Sequence, residues 1–136
     1  HGAITSIYTV LAEGDDGNDP IVDISRASLD GQVMLSRRLA DQAHYPAIDL
    51  NGSISRVMPA LVEPQELRRA NKFRRLWSVY EQNADLAQVG AYEHGSNPEL
   101  DEAIELREQM VQFLRQEMHV SEDYNTSRNH LQHVVP

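Results

Sequence analysis

Arg56, Tyr45 and the carboxylates of Asp15, Asp16 and Asp19 are the side chains of this 136-residue chain best suited to chemistry. Arg56 follows Gly52-Ser53-Ile54-Ser55, which reads as a polar turn between apolar segments. A guanidinium there stays charged and offers two parallel donors that match phosphate oxygens. Most single arginines do less and make surface ion pairs worth about 0–1 kcal/mol. Tyr45, pinned by Pro46, presents a flat ring at a strand end, where open α/β sheets bind ligands. Stacking a base on it would contribute about 1–3 kcal/mol; the plainer alternative is an ordinary core or rim tyrosine. Asp15, Asp16 and Asp19 lie between an apolar run and Pro20, so they project into water or toward a partner. The calcium-loop order with its central Gly and terminal Glu is missing there. His130 and His133 have no acidic third ligand in their pattern, and no metal site is assigned to them. No G-x-x-x-x-G-K-[ST] loop occurs anywhere, so the chain has no phosphate cradle of its own.

The elements that must carry these groups change character along the chain. Ile4, Ile7, Tyr8, Val10 and Leu11 form a β-rich run that predicts a strand apolar on both faces, the kind found in a covered, parallel sheet. Val33, Met34 and Leu35 predict a second short strand, and Arg37 to Ala43 a brief helix. Two such strands want further neighbours to form a stable sheet. From Pro64 the period becomes helical: Pro suits the first turn, and Leu67, Ala70, Phe73, Trp77 and Tyr80 recur on one face. A shorter pattern, Leu86, Val89 and Tyr92, stops near Gly90 and Gly95. Asn97-Pro98 predicts a capped helix start, with Leu100, Ile104, Val111, Leu114 and Met118 as one long stripe. Ser121-Glu122-Asp123 opens a last helix through Val134.

With 12 basic against 21 acidic residues the net charge is −9, which argues against a nucleic-acid binder because phosphate contacts need a basic surface. The charges are segregated. Arg68, Arg69, Lys72, Arg74 and Arg75 fall in one stretch, and Glu93, Glu99, Asp101, Glu102, Glu105 and Glu108 in another. They read as two solvated helix faces, with a partner-docking face as the alternative. The absence of Cys excludes disulfides and thiolate metal sites. No segment reads as a signal peptide or a membrane span, which leads to the expectation of a cytoplasmic protein.

The acidic turn, Leu29-Asp30-Gly31, Leu35-Ser36-Arg37, the run His44 to Asp49 (HYPAID) and Ser53-Ile54-Ser55-Arg56, in that order, resemble the C-terminal part of the export-apparatus ATPases of flagella and type III secretion. These are relatives of the rotary ATP synthase catalytic subunits. The resemblance implies an α/β fold class: the C-terminal portion of a RecA-like P-loop ATPase domain over residues 1–62, then an all-α helical bundle over 63–136. It implies a parent enzyme that hydrolyses ATP with Mg²⁺ in a homohexameric ring, releasing chaperones and unfolding export substrates. That ring would sit at the cytoplasmic mouth of the export gate, peripheral to the inner membrane. Its partners would be a coiled-coil central stalk and a peripheral stator protein.

Within that resemblance Tyr45 stacks on adenine, Arg56 acts as an arginine finger on the nucleotide of the adjacent subunit, and Asp15, Asp16 and Asp19 touch the stalk. The Mg²⁺ ligands and catalytic acid lie mostly upstream of His1, so the piece by itself is expected to be inactive. Asp30 and Arg37 are expected to be structural, His44 to support the site from behind or simply to pack, and Tyr92 to be a core aromatic. The acidic helix–turn–helix of rotary relatives is incomplete around Glu93, Glu99, Asp101 and Glu102, which favours domain closure over torque. Two alternatives remain open at this point: a non-catalytic helical docking module for stalk, stator or chaperone–substrate complexes, and a rotary ATP synthase subunit.

Overall fold

The computed structural model describes residues 2–11 and 20–136. Residues 2–11 are exposed and form no regular element, with Ile4 95% and Ile7 93% accessible. The strand expected there is therefore absent: a strand needs a partner for its backbone groups, and the described residues form one two-stranded sheet. Helix α1 (Pro20–Ser28), which the sequence reading did not anticipate, starts on the proline.

β1 (Gly31–Leu35) and β2 (Ile48–Ser55) pair antiparallel, where a parallel sheet was expected. Only two residue pairs hold each end of this ladder. Gly31 and Gln32 face Ser55 and Ile54, while Met34 and Leu35 face Asp49 and Ile48. Leu50 to Ser53 thus bulge out of the ladder. Asp49 closes the bulge by accepting hydrogen bonds from the Asn51 and Gly52 amides at 3.0 and 3.1 Å. The Ser53 hydroxyl stands in for the missing strand partner, accepting from the Met34 amide at 2.9 Å and donating to the Asp49 carbonyl at 2.6 Å. The bulge turns Leu50 onto the helical core. The segment read as a polar turn before Arg56 is accordingly a bulged strand.

Between the strands runs the short helix α2 (Arg37–Asp41), capped by Ser36; after β2 comes α3 (Met58–Leu61). α4 (Pro64–Gln88) is the long element, beginning at Pro64 as its sequence predicts and burying Phe73, Leu76 and Trp77. It ends in a glycine-dependent motif. Gly90 has φ +68°, and the amides of Ala91 and Gly90 return to the carbonyls of Leu86 and Ala87 at 3.1 and 3.4 Å. α5 (Pro98–Glu105) is capped by Asn97, whose side chain accepts from the Glu99 and Leu100 amides. The long stripe predicted from Leu100 to Met118 is broken at Leu106, where α6 (Arg107–Leu114) begins, and Met118 lies outside it, 92% exposed. α7 (Tyr124–Val134) begins just after Ser121-Glu122-Asp123, as predicted, and Asp123 is its cap.

The core gathers Phe73, Leu76, Trp77, Ala103, Met110, Val134 and Val135 from four helices and the residue after α7. The two charged stretches are not separate solvated faces. Lys72 pairs with Glu102 at 2.8 Å and Arg75 with Glu99 at 2.6 Å, across α4 and α5. Each pair is partly exposed and so worth only about 0–1 kcal/mol, but together they fix which side of α5 faces α4. No helix among the described residues is long and apolar enough to cross a membrane.

Candidate nucleotide-contacting ends of the strand pair

Tyr45 sits in the turn that carries the chain from α2 into β2. Ala43, at φ +53°, closes α2, a backbone region that few residues other than Gly enter and that clusters at functional sites. The His44 amide then bonds back to the Leu39 carbonyl at 2.9 Å, and Ile48 to Pro46 at 2.8 Å. These contacts leave the Tyr45 ring 56% exposed, with its hydroxyl donating to the Ala40 carbonyl at 3.3 Å. The helical part supports the same turn from below. The Gln116 amide donates to the Tyr45 carbonyl at 3.0 Å, and His44, buried, meets the Trp77 ring edge-on at a centroid distance of 6.5 Å.

His44 is thus buried against Trp77, the packing alternative of the two that the sequence left open. Burial lowers its pKa, helped by the nearby positive charges of Arg115 and Arg107 and opposed by Glu81, so the neutral imidazole is favoured. Arg107 lies over both Trp77 and Tyr80, 4.3 and 4.5 Å from the ring centroids. The ring faces attract the guanidinium electrostatically, which helps hold Arg107 against this cluster.

Arg56 stands at the other end of β2. Its amide extends the ladder by one bond, to the Asp30 carbonyl at 2.8 Å. Its exposed guanidinium donates to the Arg26 carbonyl, in the last turn of α1, at 3.0 Å. That carbonyl belongs to the negative end of a helix, which attracts a cation weakly. Asp30 acts through its backbone, consistent with the structural role expected of it. β1 spans four residue steps, so Tyr45 and Arg56 flank a strand pair of about 13 Å. The structure does not bring them together. Asp15, Asp16 and Asp19 lie outside the described residues.

Other residues singled out by sequence fall elsewhere. Tyr92 is half-buried and not a core aromatic. Its hydroxyl donates to Asp101 at 2.7 Å, and Asp101 also accepts from the Gly95 amide and faces His94. The Tyr92 hydrogen bond is the main reason the Asp101 carboxyl titrates below the usual range. His133 hydrogen-bonds the Asn129 carbonyl, and His130 faces Glu122 at 3.5 Å. Among the described residues no three His, Asp or Glu side chains gather to hold a metal ion.

Sequence reasoning took Arg74 only as one charge of the basic stretch, although its guanidinium donates to the Ser53 carbonyl at 2.9 Å, and it missed Gln116. Nothing local marked either contact, since each reaches a strand or turn far away in the chain.

The bulged strand pair, with an aromatic at one end and an arginine at the other, runs into a helical bundle, and residues 1–55 match the ATP synthase alpha/beta family, nucleotide-binding domain. Residues 62–133 match the T3SS EscN ATPase C-terminal domain, and the chain belongs to that family. It is 55% identical to the flagellum-specific ATP synthase of Pseudomonas aeruginosa over 96% of its own length and 29% of that protein. The assembled ATPase EscN from the enteropathogenic E. coli type III secretion system superposes with a TM-score of 0.93 at 40% identity, over 97% of this chain and 32% of the other. EscN in complex with its central stalk EscO gives a TM-score of 0.81 at 37% identity, over 86% and 29%. The chain therefore spans about a third or less of each of these relatives.

Proposed function

We propose that the chain is part of an ATPase that energises type III protein export, flagellar or virulence, by hydrolysing ATP in a homohexameric ring. Residues 1–62 complete its nucleotide-binding domain and residues 63–136 form its helical domain. Tyr45 stacks on the adenine held by its own subunit. Arg56 reaches a phosphate held by the next subunit, where its guanidinium stabilises the charge that develops as the phosphoryl group transfers. The observation that carries this reading is the separation of the two groups to opposite ends of one strand pair, each exposed. Both groups are therefore accessible to a nucleotide, each at its own end of the pair.

Tyr45 fits a base because its ring is open on a backbone turn pinned from below, and Arg56 fits a phosphate because its planar fork is free of any carboxylate partner among the described residues. ATP supplies the transferable phosphoryl group, and Mg²⁺ would take its ligands from residues other than those described. EscN is solved as an assembled ATPase and with its central stalk EscO, which supports a ring and a stalk partner for this chain. By the same reading Asp15, Asp16 and Asp19 meet a coiled-coil stalk, where their charge would guide encounter more than it tightens binding. A peripheral stator, export substrates and their chaperones, and attachment beside the inner membrane complete the proposal.

Arg56→Ala in the full-length ring tests it. The variant should lose roughly 10³–10⁵ in kcat while still binding ATP, and Arg56→Lys should not restore the rate. Equal loss of nucleotide binding would overturn the finger assignment. Tyr45→Ala should weaken ATP and ADP alike, with Tyr45→Phe preserving affinity.

A further inference from the structure

We propose that Arg74 is a positioning residue for Arg56, so that the helical domain sets the reach of the arginine finger; the inference rests on the finger reading above. The bulge removes Leu50 to Ser53 from the ladder immediately before the segment that ends in Arg56. Backbone groups that a strand partner would satisfy must find others, and in this bulge side chains take them. Gln32 donates to the Gly52 carbonyl at 3.0 Å, and Arg74 donates to the Ser53 carbonyl at 2.9 Å. The first bond stays within the strand pair. The second reaches out to α4.

Ser53 is three residues before Arg56, and only two residue pairs, Gln32 with Ile54 and Gly31 with Ser55, intervene before the finger. A shift of the Ser53 carbonyl thus passes to Arg56 through a short, stiff segment. The Arg74 bond is charge-assisted and half-buried, at the rim of a cleft of about 320 Å³ lined by apolar side chains such as Leu50, Met58, Phe73 and Leu131. Arg74 also shares a helix face with Trp77, one turn on, which packs against His44 beside Tyr45. One rigid face of α4 consequently holds both ends of the strand pair.

The test uses the complete ATPase. Arg74→Met keeps the aliphatic stem and removes the donor; Arg74→Lys keeps a donor. Arg74→Met should lower kcat about 10- to 100-fold, the loss expected of a misplacement near 1 Å, with KM for ATP and ring assembly unchanged. Arg74→Lys should recover most of the rate. In an Arg56→Ala background, Arg74→Met should lower kcat no further, because the group it positions is gone. An undiminished loss in that background, a rise in KM matching the fall in kcat, or an unchanged kcat with Arg56 present would each overturn the inference. An Arg56→Ala ring with normal kcat would instead overturn the finger reading itself.

Discussion

Gly31→Ala probes the geometry that carries Arg56. A Cβ at Gly31 would stand 2.7 Å from the Ile54 carbonyl oxygen and 3.3 Å from the Ser55 Cα, both backbone atoms. Contacts under 3.0 Å are not tolerated, so β1 and β2 must part where Gly31 pairs with Ser55. No side chain can rotate away to relieve the clash. Overpacking of this kind costs about 1–3 kcal/mol. The separation falls beside the bond from the Arg56 amide to the Asp30 carbonyl, so that amide should report the cost directly. Hydrogen exchange at Arg56 should accelerate about 5- to 150-fold, at tenfold for each 1.4 kcal/mol. The Ala91 amide, held in the glycine motif that ends α4, serves as an internal reference and should change little. Unchanged protection at Arg56 in Gly31→Ala would refute the strand register on which the site description depends.

Leu76→Ala removes a fully buried side chain from the helical core and should cost about 2–5 kcal/mol, read as a lower urea midpoint through the fluorescence of Trp77, the single tryptophan. His44 gives a pH dependence. Its folded-state pKa lies below the unfolded value of 6.5, so its contribution is fully present above that value and is lost as pH falls through the folded pKa. The urea midpoint should therefore drop as pH falls from about 7.5 to 5, and His44→Gln should flatten that slope. A slope identical in the two proteins would remove His44 as the cause.

Local signals were legible where the physics is local. Pro64, Asn97-Pro98 and Ser121-Glu122-Asp123 mark helix starts because a residue in each satisfies or omits backbone donors within a few residues, and a helix begins at all three. Gly90 ends α4 for the same kind of reason. The apolar run of residues 4–11 misled because its β character specifies a strand only when a partner pairs with it. The long stripe from Leu100 to Met118 misled because a period continues across a break at Leu106 that the periodicity does not register. Charge segregation was visible, yet the pairing of Lys72 with Glu102 and Arg75 with Glu99 was not, since it depends on how α5 folds back on α4.

The sequence by itself determined the family and the residues to watch: Tyr45 before its proline, Arg56 after Ser55, and the order of motifs between them. Side-chain type and spacing suffice for that. Only the tertiary structure decided that the turn before Arg56 is a bulged strand, that Tyr45 and Arg56 occupy opposite ends of one sheet, and that Arg74 and Trp77 hold those ends from α4. The reason is that hydrogen-bond register and packing join residues distant along the chain, and a carbonyl such as that of Ser53 carries no mark in the sequence of which side chain will reach it.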